Sequence, residues 1–242
     1  LRAPSEGMYR VLHVERALRA FNMKHTIHSF GWGAQIGVVN ELIKEWKFNT
    51  LMCDVDMVWL KDPFPWFAAV PARRAADVLM SSDCASCMED EELGKCVMAP
   101  FNIGIMYWKS SDMAVKLAEA WAEGVKAAGK MDYMGEQNLL NDIIRGPGWQ
   151  SLMPPEPVEG TVAKQRAFVV KVRQEFGNVS LGMLPIANFA HGHTYFTTKQ
   201  PQRLGVDVYA VHATFQFGAK RQGQFLGKRQ RFREEGLWAV DP

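Results

Sequence analysis

The chain has 242 residues, 48% of them hydrophobic, with a net charge of +2 and a mean hydropathy of −0.16. That length and apolar content suit one α/β domain spanning residues 1–242, and the near-balanced charge argues against a nucleic-acid partner. No apolar run approaches the roughly 18–20 residues of a membrane span, so no membrane contact is expected within this segment.

The elements follow in chain order. Leu1-Arg2-Ala3-Pro4-Ser5 has no initiator Met and no signal-peptide apolar region, and the chain reads as a fragment or processed form. Residues 6–21 have helical spacing, with Ser5 as a possible N-cap and Met8, Leu12, Leu18 and Phe21 on one face. A second helix is expected over 35–46, after Gly31-Trp32-Gly33, and a buried strand over 50–53. Pro63 and Pro65 are expected to break regular structure. Strands are expected at 77–83 and 101–108, the second leading to a helix at roughly 111–127 capped by Ser110 or Ser111. In that helix Ala114, Leu117, Ala118, Trp121 and Val125 form the apolar face. A short helix is expected over 135–145, a Pro/Gly-rich loop over 146–160, and strands at 167–172, 180–184 and 207–212. Strands alternating with helices predict an α/β sheet, mixed in its later part, where the alternation is less regular.

The most informative motif is Asp54-Val55-Asp56, where an apolar run ends in two carboxylates one residue apart. Residues i and i+2 of a strand share a side, so at a strand end both could reach one divalent cation. Hard cations such as Mn²⁺ and Mg²⁺ take oxygen ligands and share them with diphosphates. Phe101-Asn102-Ile103-Gly104-Ile105 places an amide and a glycine inside a strand, which marks either a bulge or the close approach of a ligand. Gly135-Glu136-Gln137 opens a helix, where such groups either cap the helix or face a substrate. His191-Gly192-His193 sets two imidazoles at i and i+2, able to share a ligand or to pack in a surface loop. His212 ends a strand, where a lone histidine is more often structural, but it could complete a metal site begun by Asp54 and Asp56. Six basic residues, Lys220, Arg221, Lys228, Arg229, Arg231 and Arg233, lie in one run without an acid among them, which could stabilise a diphosphate or form a solvated face or a nonspecific nucleic-acid patch. Of the four cysteines, Cys53 reads as a buried thiol. Cys96 could pair with Cys84 or Cys87 in an oxidising lumen, or all three could be free in a loop.

Together these segments resemble the plant and algal nucleotide-diphospho-sugar transferases that include the extensin arabinosyltransferases and the rhamnogalacturonan xylosyltransferases. The resemblance is carried by Leu51-Met52-Cys53-Asp54-Val55-Asp56-Met57-Val58-Trp59-Leu60-Lys61-Asp62-Pro63, Ser81-Ser82-Asp83, Asn102-Ile103-Gly104-Ile105 and Leu184-Pro185. It continues through Gly192-His193-Thr194-Tyr195-Phe196, Tyr209-Ala210-Val211-His212-Ala213-Thr214-Phe215-Gln216 and Gly227-Lys228-Arg229-Gln230-Arg231-Phe232-Arg233-Glu234. The likeness is strongest to the branch acting on hydroxyproline-rich glycoproteins.

The resemblance implies a GT-A glycosyltransferase fold, with a Rossmann-like mixed sheet flanked by helices, although the family's first strand is not visible in residues 1–30. It implies a retaining, metal-dependent transfer from a UDP-sugar to a glycoprotein or polysaccharide acceptor in the Golgi lumen. The full-length protein would be a type II membrane protein whose anchor is not in this chain. Asp54, Asp56 and His212 would hold Mn²⁺ or Mg²⁺, and Lys228 and Lys220 would contact the diphosphate. Asp83, Asn102, Gly104 and His193 would line the donor site, with Gln137 and Glu136 beside the anomeric carbon. Glu136 stands where the family usually has Asp, and residues 219–226 read as an insertion. The alternative reading is a noncatalytic relative that binds glycan or protein.

Overall fold

A computed structural model of the chain describes residues 34–54, 56–69, 71–86, 99–129, 135–146, 156–157, 167–171, 178–215 and 223–238. The helix expected at 6–21, the visibility of a first strand, Cys87, Cys96 and Lys220 lie outside the described residues.

Helix α1 (Ala34–Lys44) leads into strand β1 (Thr50–Cys53), and a second short strand, β2 (Met57–Trp59), follows at once. Pro63 and Pro65 do not break the chain as expected. They open a short helix, α2 (Phe64–Ala68), with Pro63 at the N-cap. Early helical positions have no use for the N–H that proline lacks. Helix α3 (Pro71–Ala75) and the fully buried strand β3 (Val78–Ser82) come next, then β4 (Phe101–Trp108).

Helix α4 (Asp112–Ala128) buries Ala114, Leu117, Ala118, Trp121 and Val125, the face its spacing predicts. Ser111 rather than Ser110 caps it: the Ser111 hydroxyl accepts from the Ala114 N–H at 3.2 Å and donates to Asp77 Oδ1 at 2.5 Å. Asp77 accepts the Ser180 N–H at 2.8 Å on its other oxygen, so one carboxylate joins the helix start to two strands. Helix α5 (Gly135–Arg145) follows, then β5 (Glu156–Pro157), β6 (Ala167–Lys171), β7 (Asn178–Met183) and β8 (Phe189–His191). A π-helical turn (His193–Thr197), helix α6 (Gln200–Leu204), β9 (Ala210–His212) and helix α7 (Gly223–Glu234) complete the order. The last predicted strand is shorter than expected, and α7 takes in part of the stretch that reads as an insertion.

Among the described residues the strands form two sheets, one in the order β1-β4-β3-β7-β6-β5 and one in the order β2-β9-β8. The β3–β7 and β8–β9 pairs are parallel and the others antiparallel, a mixed arrangement as expected. The larger core lies between the first sheet and helices α1, α4 and α5, where Trp108 stacks on Trp121 with ring centroids 6.2 Å apart. A second core, built on Phe67, Leu79, Ile105 and Phe189, joins the two sheets. Among the described residues no helix is long and apolar enough to cross a membrane.

Two local features position the site. First, β1 belongs to the large sheet and β2 to the small one, so Asp54 and Asp56 lie in the connection between sheets. The Asp54 N–H donates to the Gly104 carbonyl at 2.9 Å, and the Ala213 N–H donates to the Asp56 carbonyl at 2.9 Å. Second, the β3–β4 register slips between Met80 and Ser81, which pair with Met106 and Asn102. The intervening residues of β4 bulge, and the Ser81 hydroxyl ties the bulge by donating to the Asn102 carbonyl at 2.9 Å.

Candidate active site

Asp54, Asp56 and His212 each offer a ligand atom, and those atoms lie within 4.8 Å of one another. His212 Nε2 stands 3.5 Å from Asp54 Oδ2 and 3.4 Å from Asp56 Oδ1. Two oxygens and one imidazole nitrogen suit a divalent cation of the manganese or magnesium kind. The imidazole reaches this position because residue 104 lacks a side chain. A Cβ at Gly104 would lie 2.2 Å from His212 Cε1, 2.4 Å from Nδ1 and 2.9 Å from Asn102 Oδ1. The bulge therefore places Gly104 under a histidine ring, on the metal side of the site.

Lys228 on α7 adds a cation, its Nζ 2.6 Å from Asp56 Oδ2. Burial pushes the Asp56 carboxyl up, but His212 and Lys228 more than offset this and hold it well below the usual carboxylate range. Burial also works against a charged His212, yet Asp56 and Asp54 prevail and raise its pKa. The helix carrying Lys228 is docked by Phe232, edge-on to Phe196 of the π-helical turn at 5.5 Å, and by the Lys199–Glu235 ion pair.

Beside the metal group runs a hydrogen-bonded chain of side chains. Asn102 Nδ2 donates to Asp83 Oδ1 at 2.8 Å, and Gln137 Nε2 donates to Asp83 Oδ2 at 3.0 Å. Asn102 Oδ1 accepts the Gly104 N–H at 2.8 Å, and Gln137 Oε1 accepts the Ile103 N–H at 3.3 Å. Burial raises the Asp83 pKa, and the two amide donors temper that rise. Glu136, next to Gln137, is buried at 6% exposure, and its carbonyl accepts from Trp121 Nε1 at 3.0 Å.

The structure thus brings Asp54, Asp56, His212, Lys228 and Gly104 into one group and Asp83, Asn102 and Gln137 into a second. Asn102 links them through Gly104. His193 lies in the π-helical turn with its ring 6.3 Å from that of His191, and among the described residues no side-chain hydrogen bond or ion pair joins it to either group. Cys84 takes part in a disulfide, whereas Cys53, expected to be buried, is only half-buried and stands outside any disulfide.

Three buried polar residues have roles that the sequence reading does not assign. Asn141 and Arg145 are buried polar groups on α5, and the signal is their spacing: Gln137, Asn141 and Arg145 recur every four residues on one helical face. The third is His191, which the sequence offers as one of two imidazoles able to share a ligand and which instead spends both ring nitrogens on the backbone. Its Nε2 lies 2.6 Å from the Cys84 carbonyl, to which it donates, and its Nδ1 accepts the Thr194 N–H at 3.4 Å. Both nitrogens are thus used by the neutral ring, and burial lowers its pKa from 6.5 to about 4. Between those values the unfolded chain takes up a proton that the folded one refuses. Stability is therefore full above pH 6.5 and falls as pH drops to about 4, by up to about 3 kcal/mol. His191→Gln keeps a donor for the Cys84 carbonyl and is expected to flatten that acid slope. Urea denaturation in chelator from pH 7.5 to 4 checks this, and an unchanged slope would place the acid sensitivity elsewhere.

A mixed α/β fold whose carboxylate pair and histidine lie beside a part-buried Asp–Asn–Gln chain fits the class of glycosyltransferase domains of the GT-A kind. More narrowly, the chain belongs to the nucleotide-diphospho-sugar transferase family, whose family model matches residues 16–232. It is also 36% identical over 223 residues to arabinosyltransferase XEG113 of Arabidopsis thaliana, an alignment covering 88% of this chain and 31% of that protein. The chain therefore spans about a third of the length of this curated relative. No solved structure matches it.

Proposed function

We propose that this domain transfers a sugar, most plainly arabinose, from a UDP-sugar to a hydroxyproline-rich glycoprotein or cell-wall glycan, retaining the anomeric configuration. The observation that carries the reading is the Asp54–Asp56–His212 group, with Lys228 on one side and the Asp83–Asn102–Gln137 chain on the other. The donor set fits a divalent metal, and Asp54, Asp56 and His212 would hold Mn²⁺ or Mg²⁺. When bound, the metal supplies positive charge to a diphosphate leaving group.

The remaining work falls to the chain's own residues. Lys228 shares Asp56 with the metal group and would place a second cation near the diphosphate. Asp83 and Asn102 would hold sugar hydroxyls, and Gln137 would set its carbonyl oxygen or amide beside the anomeric carbon. As the bond from that carbon to the diphosphate oxygen breaks, a bond to the acceptor oxygen forms. The acceptor proton passes to the departing phosphate. The disulfide at Cys84 supports an oxidising secretory compartment, in keeping with the Golgi lumen.

Calorimetry of UDP binding to the full chain, with Mn²⁺ and then with chelator, tests the reading. Binding that requires the metal is expected, followed by transfer from UDP-arabinose to a hydroxyproline-rich peptide. UDP binding that ignores the metal, or none at all, would overturn the site. Metal-dependent binding without transfer from any UDP-sugar would leave the noncatalytic, glycan-binding reading in its place.

A further inference from the structure

We infer that Asn141, behind the site and out of reach of any substrate, is a positioning residue that sets the spacing of Asn102 and Gln137 around Asp83. The inference rests on the functional reading above.

Asn141 has 0% exposure, and its short amide makes four hydrogen bonds. Its Oδ1 accepts the Phe101 N–H at 2.8 Å and Arg145 Nε–H at 3.3 Å. Its Nδ2 donates to the Phe101 carbonyl at 2.9 Å and to the Gln137 carbonyl at 2.9 Å. One side chain therefore grips both backbone groups of the residue before Asn102 and the backbone of Gln137 itself. Asn102 and Gln137 then meet again on the two oxygens of Asp83, at 2.8 and 3.0 Å. The result is a closed ring: Asn141, the Phe101–Asn102 backbone, Asp83, Gln137, and back to Asn141.

The ring explains why a strand and a helix meet at a fixed distance at this point. Phe101 sits at the start of β4, where it pairs with Ser82 just beyond the register slip between β3 and β4. The amide of Asn141 imitates a neighbouring strand by taking both Phe101 groups. Behind it, Arg145 is buried at 6% exposure, donates to the Ala99 carbonyl at 2.5 Å and lies 5.1 Å from the Phe101 ring centre. Asn141 thus cannot swing away from Phe101 without displacing a buried guanidinium. The three metal-ligand candidates and Lys228 belong to other elements, the β1–β2 connection, β9 and α7, and the ring meets that group through the hydrogen bond from the Gly104 N–H to Asn102 Oδ1 rather than through Asn141.

That separation makes the role testable on the full chain with UDP and UDP-arabinose, Mn²⁺ in excess. Asn141→Ala removes all four bonds; Asn141→Asp keeps both acceptor bonds, including that to Arg145, and loses both donor bonds. In each variant UDP affinity is expected to stay within about twofold of wild type. The ratio of UDP-arabinose to UDP affinity is expected to fall about tenfold, the scale of one lost hydrogen bond to a charged group. kcat is expected to fall about 10²-fold, as a displacement near 1 Å would cause. A merely structural role would lower the fraction of protein able to bind, seen as stoichiometry, and leave that ratio alone. An unchanged ratio with unchanged kcat per binding-competent molecule overturns the proposal. If only Asn141→Ala fails to fold, Asn141→Asp decides; if neither folds, the role is structural and the proposal falls. Failure of wild-type protein to bind UDP would instead sink the functional reading, and the positioning role with it.

Discussion

Gly104→Ala is expected to abolish metal-dependent UDP binding, a loss of at least about 10²-fold, while leaving the protein folded. Alanine at most strand positions is harmless or mildly stabilising, because it restricts the unfolded chain by roughly 0.4–1 kcal/mol. Here the added methyl would sit 2.2 Å from His212 Cε1 and 2.4 Å from Nδ1, distances no packed carbon tolerates. The obstacle is a ring at 5% exposure on β9, which is paired on both sides by β2 and β8, so it has little room to retreat. The same methyl would press on Asn102 Oδ1 at 2.9 Å, disturbing the sugar-side chain as well. Overpacking of this kind costs about 1–3 kcal/mol of stability, a smaller effect than the loss of the cradle. Thermal melts together with calorimetry of UDP and Mn²⁺ separate the two. Wild-type affinity in a folded Gly104→Ala protein would mean that His212 does not serve the metal site.

Asp56→Asn should remove metal-dependent binding just as completely and should also expose what Asp56 does in the metal-free protein. The substitution keeps shape and takes away charge. Lys228 Nζ, 2.6 Å away, and His212, 3.4 Å away, then lose a shared anion. With Asp56 and Lys228 side chains 19% and 25% exposed, the pair lies between surface and buried cases, and its loss costs on the order of 2 kcal/mol. The sign of the pH dependence follows from the carboxyl's depressed pKa. The stabilisation is present above the ordinary carboxylate pKa and disappears as pH falls through the lower folded value. Wild type and variant should therefore differ fully at pH 7, with the gap closing below about pH 4. Urea denaturation in chelator at several pH values measures the gap. A constant gap, or none at pH 7, would show that the Lys228–Asp56 pair does not stabilise the fold.

How much of this was legible beforehand differs by element. Helices α4 and α5 and strands β3 and β4 declare themselves, because each buries a face or a run whose apolar period belongs to one structure type, whereas β1, expected to be buried, buries Met52 and leaves its other three residues half-buried. The segment after residue 185 is harder. Strands β8 and β9 are three residues long, and the π-helical turn between them has no characteristic period. Their order comes from packing: Phe196, Val211, Ala213 and Phe232 form one small cluster that no stretch of local sequence displays. Pro63 and Pro65 misled for a related reason, since proline ends a helix from within but suits its first turn, and the sequence alone does not say which applies.

The site divides along the same line. Residue chemistry is local, and Asp54, Asp56 and His212 could be singled out as a candidate cation group from type, order and flanking apolar runs. Which groups share which atoms is not local. The two carboxylates converge because the chain leaves one sheet at Cys53 and joins another at Met57, not because they alternate along one strand. Gly104 is small because a histidine more than one hundred residues away occupies its space. Asn141 and Arg145 carry no motif and matter only through Phe101 and Gln137, which they hold. Sequence by itself determined the family, the elements with strong periodicity and the identity of the chemical groups. Tertiary structure alone decided their distances, because contacts between residues far apart in the chain depend on how its faces pack rather than on any pattern along it.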